Sequence, residues 1–224
     1  MIYSYRAEIQ RHIANLLGWT TQRKIVVVES DDWGSIRMPS KETYNNLIIA
    51  GIQIQDGWFN LYDSLESNQD MENLLEVITS YRDRNGNHPA FTAVCVVANP
   101  DFEKIGERRF QEYHFEPFTE TLKRYPSHDR VLRLWKEGVE KRIFVPQFHG
   151  REHLNVQRWL RDLQAGKRDT IVAFQNQLWG ISTQPNHYEY LPAFDLDFPD
   201  DLKYMGTVLE EGLDLFEKIL GYSA

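Results

Sequence analysis

The sequence predicts an α/β protein built on parallel strands, in a single domain. Three short runs are apolar nearly throughout and rich in β-branched or aromatic residues, as strands covered on both faces tend to be. They span residues 24–29, 91–97 and 143–148. Segments with a helical spacing of apolar residues separate these runs, and such alternation is typical of a parallel sheet. Because no internal repeat, low-complexity tract or Pro/Gly/Ser-rich linker interrupts the chain, we expect one domain over residues 1–224.

Helices are predicted where apolar residues recur at intervals of three and four. One of them has Ser40 at its N-cap and ends at Ala50-Gly51, where glycine is the usual stop. Another carries an apolar stripe composed of Met71, Leu74, Leu75, Ile78 and Tyr81. The predicted helices span residues 3–17, 41–50, 70–84, 129–141, 153–165 and 206–220.

Composition excludes some classes of partner. The contents of hydrophobic (42%) and charged (26%) residues are ordinary for a globular protein. A net charge of −8 without any basic block argues against nucleic acid and anionic membranes as partners. No apolar run approaches the roughly 20 residues of a membrane span, and the N-terminus lacks a signal-peptide pattern, so we expect a cytoplasmic protein. The single cysteine, Cys95, lies inside an apolar run and is expected to be a buried small hydrophobe.

Polar, chemically capable residues follow each predicted strand. They are Asp31-Asp32, Asn99-Pro100-Asp101 and His149. In parallel α/β folds ligands bind at the carboxyl ends of the strands, where the loops converge. We therefore expect these three segments to lie near one another.

Two of these segments have the composition of a divalent-metal site. His149 and His153 are four residues apart, so on a helix beginning near Gly150 both imidazoles would share one face and bind one ion. Asp31 and Asp32 leave their strand in different directions, so that one carboxylate can bind a metal while its neighbour faces a water molecule. Taken singly, the histidines are equally explained as surface or core residues, and the aspartates as a solvated turn or helix cap. Their joint occurrence at strand exits favours the metal site.

These residues also carry a family resemblance. The segment Asp31-Asp32-Trp33-Gly34 resembles the Asp-Asp-Gly signature of polysaccharide deacetylases, the chitooligosaccharide-deacetylase homology group, with Trp33 inserted before the glycine. The segment His149-Gly150-Arg151-Glu152-His153 is similar to the His-x-x-x-His segment of that family, although the family usually has serine or threonine in place of Gly150. The resemblance implies a distorted (β/α) barrel of seven strands, of the glycoside hydrolase/deacetylase type. It also implies a divalent metal and hydrolytic removal of N- or O-acetyl groups from a carbohydrate.

Carried over by position, the resemblance makes Asp31 the general base and Asp32, His149 and His153 the metal ligands. Zinc is the metal first expected, and manganese, cobalt or nickel also suit these ligands. A metal with an open position lowers the pKa of bound water to about 7, and a nearby carboxylate can take its proton. The general acid is less evident, because His187 is the only histidine late in the chain and a loop histidine is more often merely exposed.

Further residues are candidates for binding the acetylated carbohydrate. Arg151, with Glu152, either orients the ligands or lies in a helix N-terminus, and Asp101 either caps a helix or lines the pocket, with capping favoured. Trp33 and Trp58 are candidate stacking surfaces for sugar rings, although aromatic residues are more often part of a core. The candidate substrate-binding residues are Trp33, Trp58, Asp101 and Arg151.

The resemblance covers only the front of the family's barrel. The later motifs, an Arg-x-Pro-Tyr segment, an acidic-tryptophan segment and a Leu-x-His segment with the general acid, are not visible. We therefore expect a barrel that is incomplete at its C-terminal end. Either another chain completes the sheet, as in a homo-oligomer that covers the open edge, or this polypeptide is the front part of a longer one.

Two other functions fit parts of the sequence. The missing motifs favour a non-catalytic carbohydrate-binding or structural protein of the same fold. A glycosidase needs two carboxyl groups about 5–9.5 Å apart, which adjacent aspartates cannot supply. Asp101 would then be the second carboxylate, but the paired histidines would go unexplained.

Overall fold

A computed structural model describes residues 2–16, 18–54, 63–183 and 188–223. Its helices, in chain order, are α1 (Ile2–Asn15), α2 (Lys41–Ile49), α3 (Asn68–Ser80), α4 (Phe102–Glu107), α5 (Phe118–Leu122), α6 (Val131–Glu140), α7 (Val156–Gln164), α8 (Arg168–Gln175) and α9 (Asp201–Leu220). Its strands are β1 (Val28–Trp33), β2 (Phe91–Val96), β3 (Ala98–Pro100), β4 (Phe115–Pro117), β5 (Phe144–Gly150), β6 (Ser182–Thr183) and β7 (Tyr188–Glu189).

The central element is a parallel sheet with the strand order β1-β2-β5. Strands β3 and β4 form one antiparallel pair, and β6 and β7 form another. The predicted α/β class with parallel strands is therefore confirmed. Within the described residues the sheet is open and does not close into a barrel.

The three predicted strands agree with the strands of the structure to different degrees. Strands β2 and β5 lie within one or two residues of the predicted runs. The first prediction is wrong, because β1 begins at Val28 and continues to Trp33, and the run Ile25–Val28 is exposed (86% for Val26). The pairing of β1 with β2 starts at Val28, opposite Phe91, so residues 25–27 lie before the sheet and their apolar composition does not indicate burial on both faces.

Most predicted helices are confirmed, and their ends depend on local caps. The Ser40 side chain accepts a hydrogen bond from the amide of Thr43 (3.0 Å), as the predicted N-cap requires. Helix α3 ends earlier than predicted, because Tyr81 is extended and exposed. Helix α7 starts at Val156, three residues later than predicted, because Asn155 is its N-cap. Helix α9 starts five residues earlier than predicted, at Asp201.

Two apolar clusters form the core. One packs the sheet against α3, α6 and α9 around Trp135 and Phe144, and the other packs α2, α7 and α8 around Trp159. Cys95 lies in the first cluster, fully buried as predicted, and burial raises its thiol pKa to about 12. None of the helices in the described ranges has the length and apolar composition needed to cross a bilayer.

Candidate metal centre

The three predicted ligands, two neighbouring histidines and an aspartate distant from them in sequence, converge at the carboxyl end of the sheet. Asp32 Oδ1 lies 3.4 Å from His149 Nε2 and 3.7 Å from His153 Nε2. One ligand atom from each of the three residues lies within 4.8 Å of the others. The two imidazole rings are 5.3 Å apart between centroids and inclined at 37°. The side chains are partly exposed, so the cluster is reachable from solvent.

Irregularities in two strands bring these ligands together. In β1, Ser30 is opposite Ala93 and Trp33 is opposite Cys95, so that one residue more is accommodated in β1 than in β2. In β5, Phe148 is opposite Cys95 and Gly150 is opposite Val96, which leaves His149 as the extra residue. Bulges of this kind redirect side chains and are common beside active sites. Both occur at the same level of β2, and this accounts for the meeting of Asp32 and His149.

Buried polar contacts hold the chain just after the β1 bulge. Asn99 donates to the carbonyl of Gly34 (2.9 Å) and accepts from the amide of Ile36 (3.1 Å). Gly34 has φ +84°, and a Cβ at this position would lie only 2.4 Å from the carbonyl oxygen of Val96. The glycine of the acidic segment is thus required by a close approach between backbones. Asp32 also has a positive φ (60°), a conformation that aspartate tolerates better than most residues.

The histidines are not on one helix, which corrects the geometry expected from their spacing. His149 is in β5, and His153 lies in the loop before α7. The i and i+4 relation of a helix therefore does not apply. Between the end of β5 at Gly150 and the N-cap Asn155 the chain bends, and His153 lies in this bent segment beside His149.

Arg37 holds the other side of the Asp32 carboxylate. The buried Arg37 guanidinium forms an ion pair with Asp32 Oδ2, and its Nε lies 3.1 Å from Asp63 Oδ2. Burial raises the pKa of Asp63. Arg37 opposes this shift, and the charges of Asp32 and Asp31 add to it. Asp32 is thus oriented so that Oδ1, not Oδ2, faces the histidines.

The donor set fits a divalent metal ion. Asp32 Oδ1 is buried and has no hydrogen-bond partner among the described residues, although such an atom normally has one. Ligand atoms about 2.0–2.1 Å from a tetrahedral zinc ion are about 3.3 Å apart, close to the two distances measured from Oδ1. One carboxylate and two imidazoles are a ligand combination found at catalytic zinc, where a fourth position stays open.

A buried ion pair supports the loop that carries His153. Arg151 binds Glu152 through two hydrogen bonds (2.6 and 2.7 Å) and also contacts Glu211 on α9. Its guanidinium lies over the ring of Phe115, 4.4 Å from the centroid. Burial raises the pKa of Glu152, while Arg151 acts in the opposite direction. Arg151 is only 2% exposed, so the structure favours the expected orienting role over direct substrate binding.

Asp31 faces a cavity of about 280 Å³ beside the cluster. The residues that line it come from β1 and the turn after it, and from the segment Asp63–Glu66 with Asp70. Asp31 is exposed, and Asp32 belongs both to this cavity and to the ligand cluster. The two histidines are not among the described residues that line the cavity.

The remaining expected site residues lie in different places. Trp33 lines the cavity but packs edge-on against Phe144 and Trp135, so most of its contacts are with the core. Asp101 caps α4 by accepting from the amide of Lys104 (3.1 Å), and it is not among the described residues lining the cavity. Trp58 and His187 lie outside the described residues.

Sequence reasoning missed three charged residues next to the cluster: Arg37, Asp63 and Glu66. Arg37 had a weak signal, since an arginine between the apolar residues Ile36 and Met38 must find a partner if it is buried. No sequence signal pointed to Asp63 or Glu66, because their segment follows no predicted strand and shows no motif.

Comparison of the chain with models of protein families, with curated proteins and with solved structures finds no match in any of the three. The geometry of the centre must therefore carry the functional argument.

Proposed function

We propose that this chain is a metal-dependent hydrolase that removes N- or O-acetyl groups from a carbohydrate. The observation that carries the proposal is the convergence of Asp32, His149 and His153, with an unpartnered carboxylate oxygen facing the two imidazoles. The resemblance of the same segments to polysaccharide deacetylases supports it, as does an open parallel sheet with the cluster at its carboxyl end. A relation to the deacetylase barrel is part of the same proposal.

In this proposal Asp32, His149 and His153 hold the ion, and zinc, manganese, cobalt or nickel suits them. The ion would supply Lewis-acid polarisation of the acyl carbonyl and a water molecule that ionises near neutral pH. Asp31, exposed in the adjoining cavity, accepts the proton of the attacking water. Arg37 fixes Asp32 from the opposite side, and the Arg151–Glu152 pair fixes the loop before His153.

Metal content is the first test. We expect the purified chain, loaded with Zn²⁺ and dialysed, to retain close to one equivalent by elemental analysis. His149→Ala and Asp32→Ala should both lose the ion, whereas His12→Ala, at an exposed histidine on α1, should keep it. Asp31→Asn should also keep the ion but lose activity, since the general base is not a ligand.

Acetate release is the second test. Wild-type protein should release acetate from acetylated sugar oligomers, and a chelator should stop it. A folded wild type that retains no metal would refute the proposal. Stoichiometric metal without acetate release would instead favour a non-catalytic carbohydrate-binding protein. Release of new reducing ends, insensitive to chelator, would favour a glycosidase.

A further inference from the structure

A glutamate lines the cavity from a segment of the chain other than the one that carries Asp31 and Asp32. Glu66 lines the same cavity as Asp31 and Asp32 but comes from the segment before α3. The two lining segments are separate parts of the chain, so a substrate group in the cavity would meet carboxyl groups from both segments. Acid–base catalysis of acyl transfer uses such a pair, one group to take a proton and another to give one.

Contacts from the core hold Glu66 in place. Its Oε1 accepts a hydrogen bond from the indole N–H of Trp135 (2.8 Å), a residue that is fully buried. The Trp135 ring packs against Trp33, with the centroids 6.0 Å apart, and against Phe144 at 5.2 Å. Through Trp33 the same packing reaches the acidic segment of β1. Glu66 is therefore a fixed group rather than a mobile surface side chain.

We propose that Glu66 is the general acid of this site, the group that protonates the leaving nitrogen or oxygen of the acetyl substrate. The inference rests on the proposed hydrolase function. Water oxygen bonds to the acetyl carbon and gives a proton to Asp31. The bond from that carbon to the leaving atom then breaks, its electron pair stays with the leaving atom, and that atom takes the proton of Glu66. Acetate and the deacetylated sugar leave, and solvent restores both carboxyl groups.

The charge environment of Glu66 is consistent with this role. Burial raises the pKa of Glu66 to about 7. Hydrogen bonds from its own backbone and from Trp135 oppose the shift, and the charge of Asp70 adds to it. Asp31, Asp32 and Asp63 line the same cavity, and the Cys95 thiol is near enough to feel the charge of Glu66. No lysine or arginine is among the described residues lining the cavity. A carboxyl group that keeps its proton near neutral pH is what a general acid requires.

The experiment compares Glu66→Gln with wild type on two substrates. An N-acetylglucosamine pentamer has a poor leaving group that must be protonated, whereas 4-nitrophenyl acetate has one that leaves unprotonated. We expect kcat for the pentamer to fall about 10²–10⁴-fold with KM and bound zinc unchanged, and hydrolysis of 4-nitrophenyl acetate to be nearly unaffected. The alkaline limb of the wild-type pH profile, near pH 7, should disappear. Glu76→Gln, at an exposed glutamate of α3, is the control and should behave as wild type.

A second measurement does not depend on activity. In protein labelled with ¹³C at glutamate carboxyl carbons, one resonance should titrate near pH 7 in wild type and be missing from Glu66→Gln. Trp135→Phe, which removes a hydrogen bond that stabilises the carboxylate, should move that titration to higher pH.

The outcomes separate the two proposals. If wild type is active and Glu66→Gln is equally active, Glu66 is not the general acid. The same follows if Glu66→Gln loses activity equally on both substrates. Either result leaves the proposed hydrolase function standing. Titration of Glu66 near 4.5 also overturns its role. A wild type that releases no acetate from either substrate overturns the hydrolase function, and the role of Glu66 falls with it.

Discussion

Glu66 should make the protein less stable as the pH rises, and its amide variant should remove that dependence. In the folded chain burial raises the pKa of Glu66 to about 7, against an ordinary value of 4.5. Below pH 4.5 the carboxyl group is protonated in both folded and unfolded chains, so its contribution to stability is fully present. Between pH 4.5 and 7 only the unfolded chain releases the proton, and stability is lost progressively until the folded state also ionises.

The pKa difference fixes the size of the effect. At about 1.36 kcal/mol for each pKa unit, the folded state loses about 3 kcal/mol between pH 4.5 and pH 8. Glu66→Gln keeps an oxygen that can accept from Trp135 but carries no charge. We therefore expect this variant to be about 3 kcal/mol more stable than wild type at pH 8 and nearly equal to it near pH 4.5. In a chain of this length that corresponds to about 6–12 °C in Tm.

Urea unfolding followed by tryptophan fluorescence, in chelator at several pH values from 4.5 to 8, measures this difference directly. Other titratable groups are present in both proteins and largely cancel in the comparison. Glu76→Gln on the exposed face of α3 should show no such dependence on pH. Parallel stability curves for wild type and Glu66→Gln across this range would refute the reasoning, because Glu66 would then titrate at its ordinary value.

Four further predictions concern the centre and its supports. Arg37→Met should weaken zinc binding about 10–100-fold in calorimetric titration, because Asp32 loses the partner that orients it. Arg151→Met should cost about 3–5 kcal/mol in urea unfolding, because Glu152 stays buried without its counter-ion. Gly34→Ala should cost about 2–4 kcal/mol in the same assay, from the positive φ and the clash with a backbone oxygen. Zinc at 100 times its Kd should stabilise wild type by about 2.7 kcal/mol, seen as a higher Tm.

Matched controls isolate each cause. Arg84→Met removes an exposed arginine and should change neither zinc binding nor stability. Gly51 has a similar positive φ (+78°) but open space around it, so Gly51→Ala should show only the backbone cost of about 1–2 kcal/mol. Equal costs at Gly34 and Gly51 would contradict the close approach. Each of the other arguments would be contradicted by one result. These results are an unchanged zinc affinity in Arg37→Met, a loss of unfolding free energy under about 1 kcal/mol in Arg151→Met, and a wild-type Tm that does not change with zinc.

The sequence predicts the content of the centre better than its geometry. The apolar run before His149 locates β5, because strand composition is a local property. The run before Asp32 does not locate β1, which continues through Asp32 to Trp33. The bulges that aim these side chains depend on pairing between strands and leave no mark in a single sequence. His153 was assigned to a helix that begins only at Val156, since spacing alone does not locate a cap. Glu66 meets Trp135 across 69 residues, a tertiary contact that no local pattern encodes.

The candidate centre is costly for the chain to fold on its own. The positive φ of Asp32 costs about 1–3 kcal/mol, and a buried carboxylate oxygen without a partner costs a similar amount. Glycine at position 32 would remove the cost of the positive φ, and a side chain without a buried acceptor oxygen would remove the cost of the missing hydrogen bond. The ion pair with Arg37 does not remove the cost at Oδ1, because it uses Oδ2 and Oδ1 has no hydrogen-bond partner among the described residues. A bound cation would satisfy that oxygen together with two imidazoles, and binding at 100 to 1,000 times the Kd contributes about 2.7–4.1 kcal/mol, the same order as the cost. An arrangement that is unfavourable for folding, and that places one carboxylate and two imidazoles within 4.8 Å of one another, is what the proposed metal site would require.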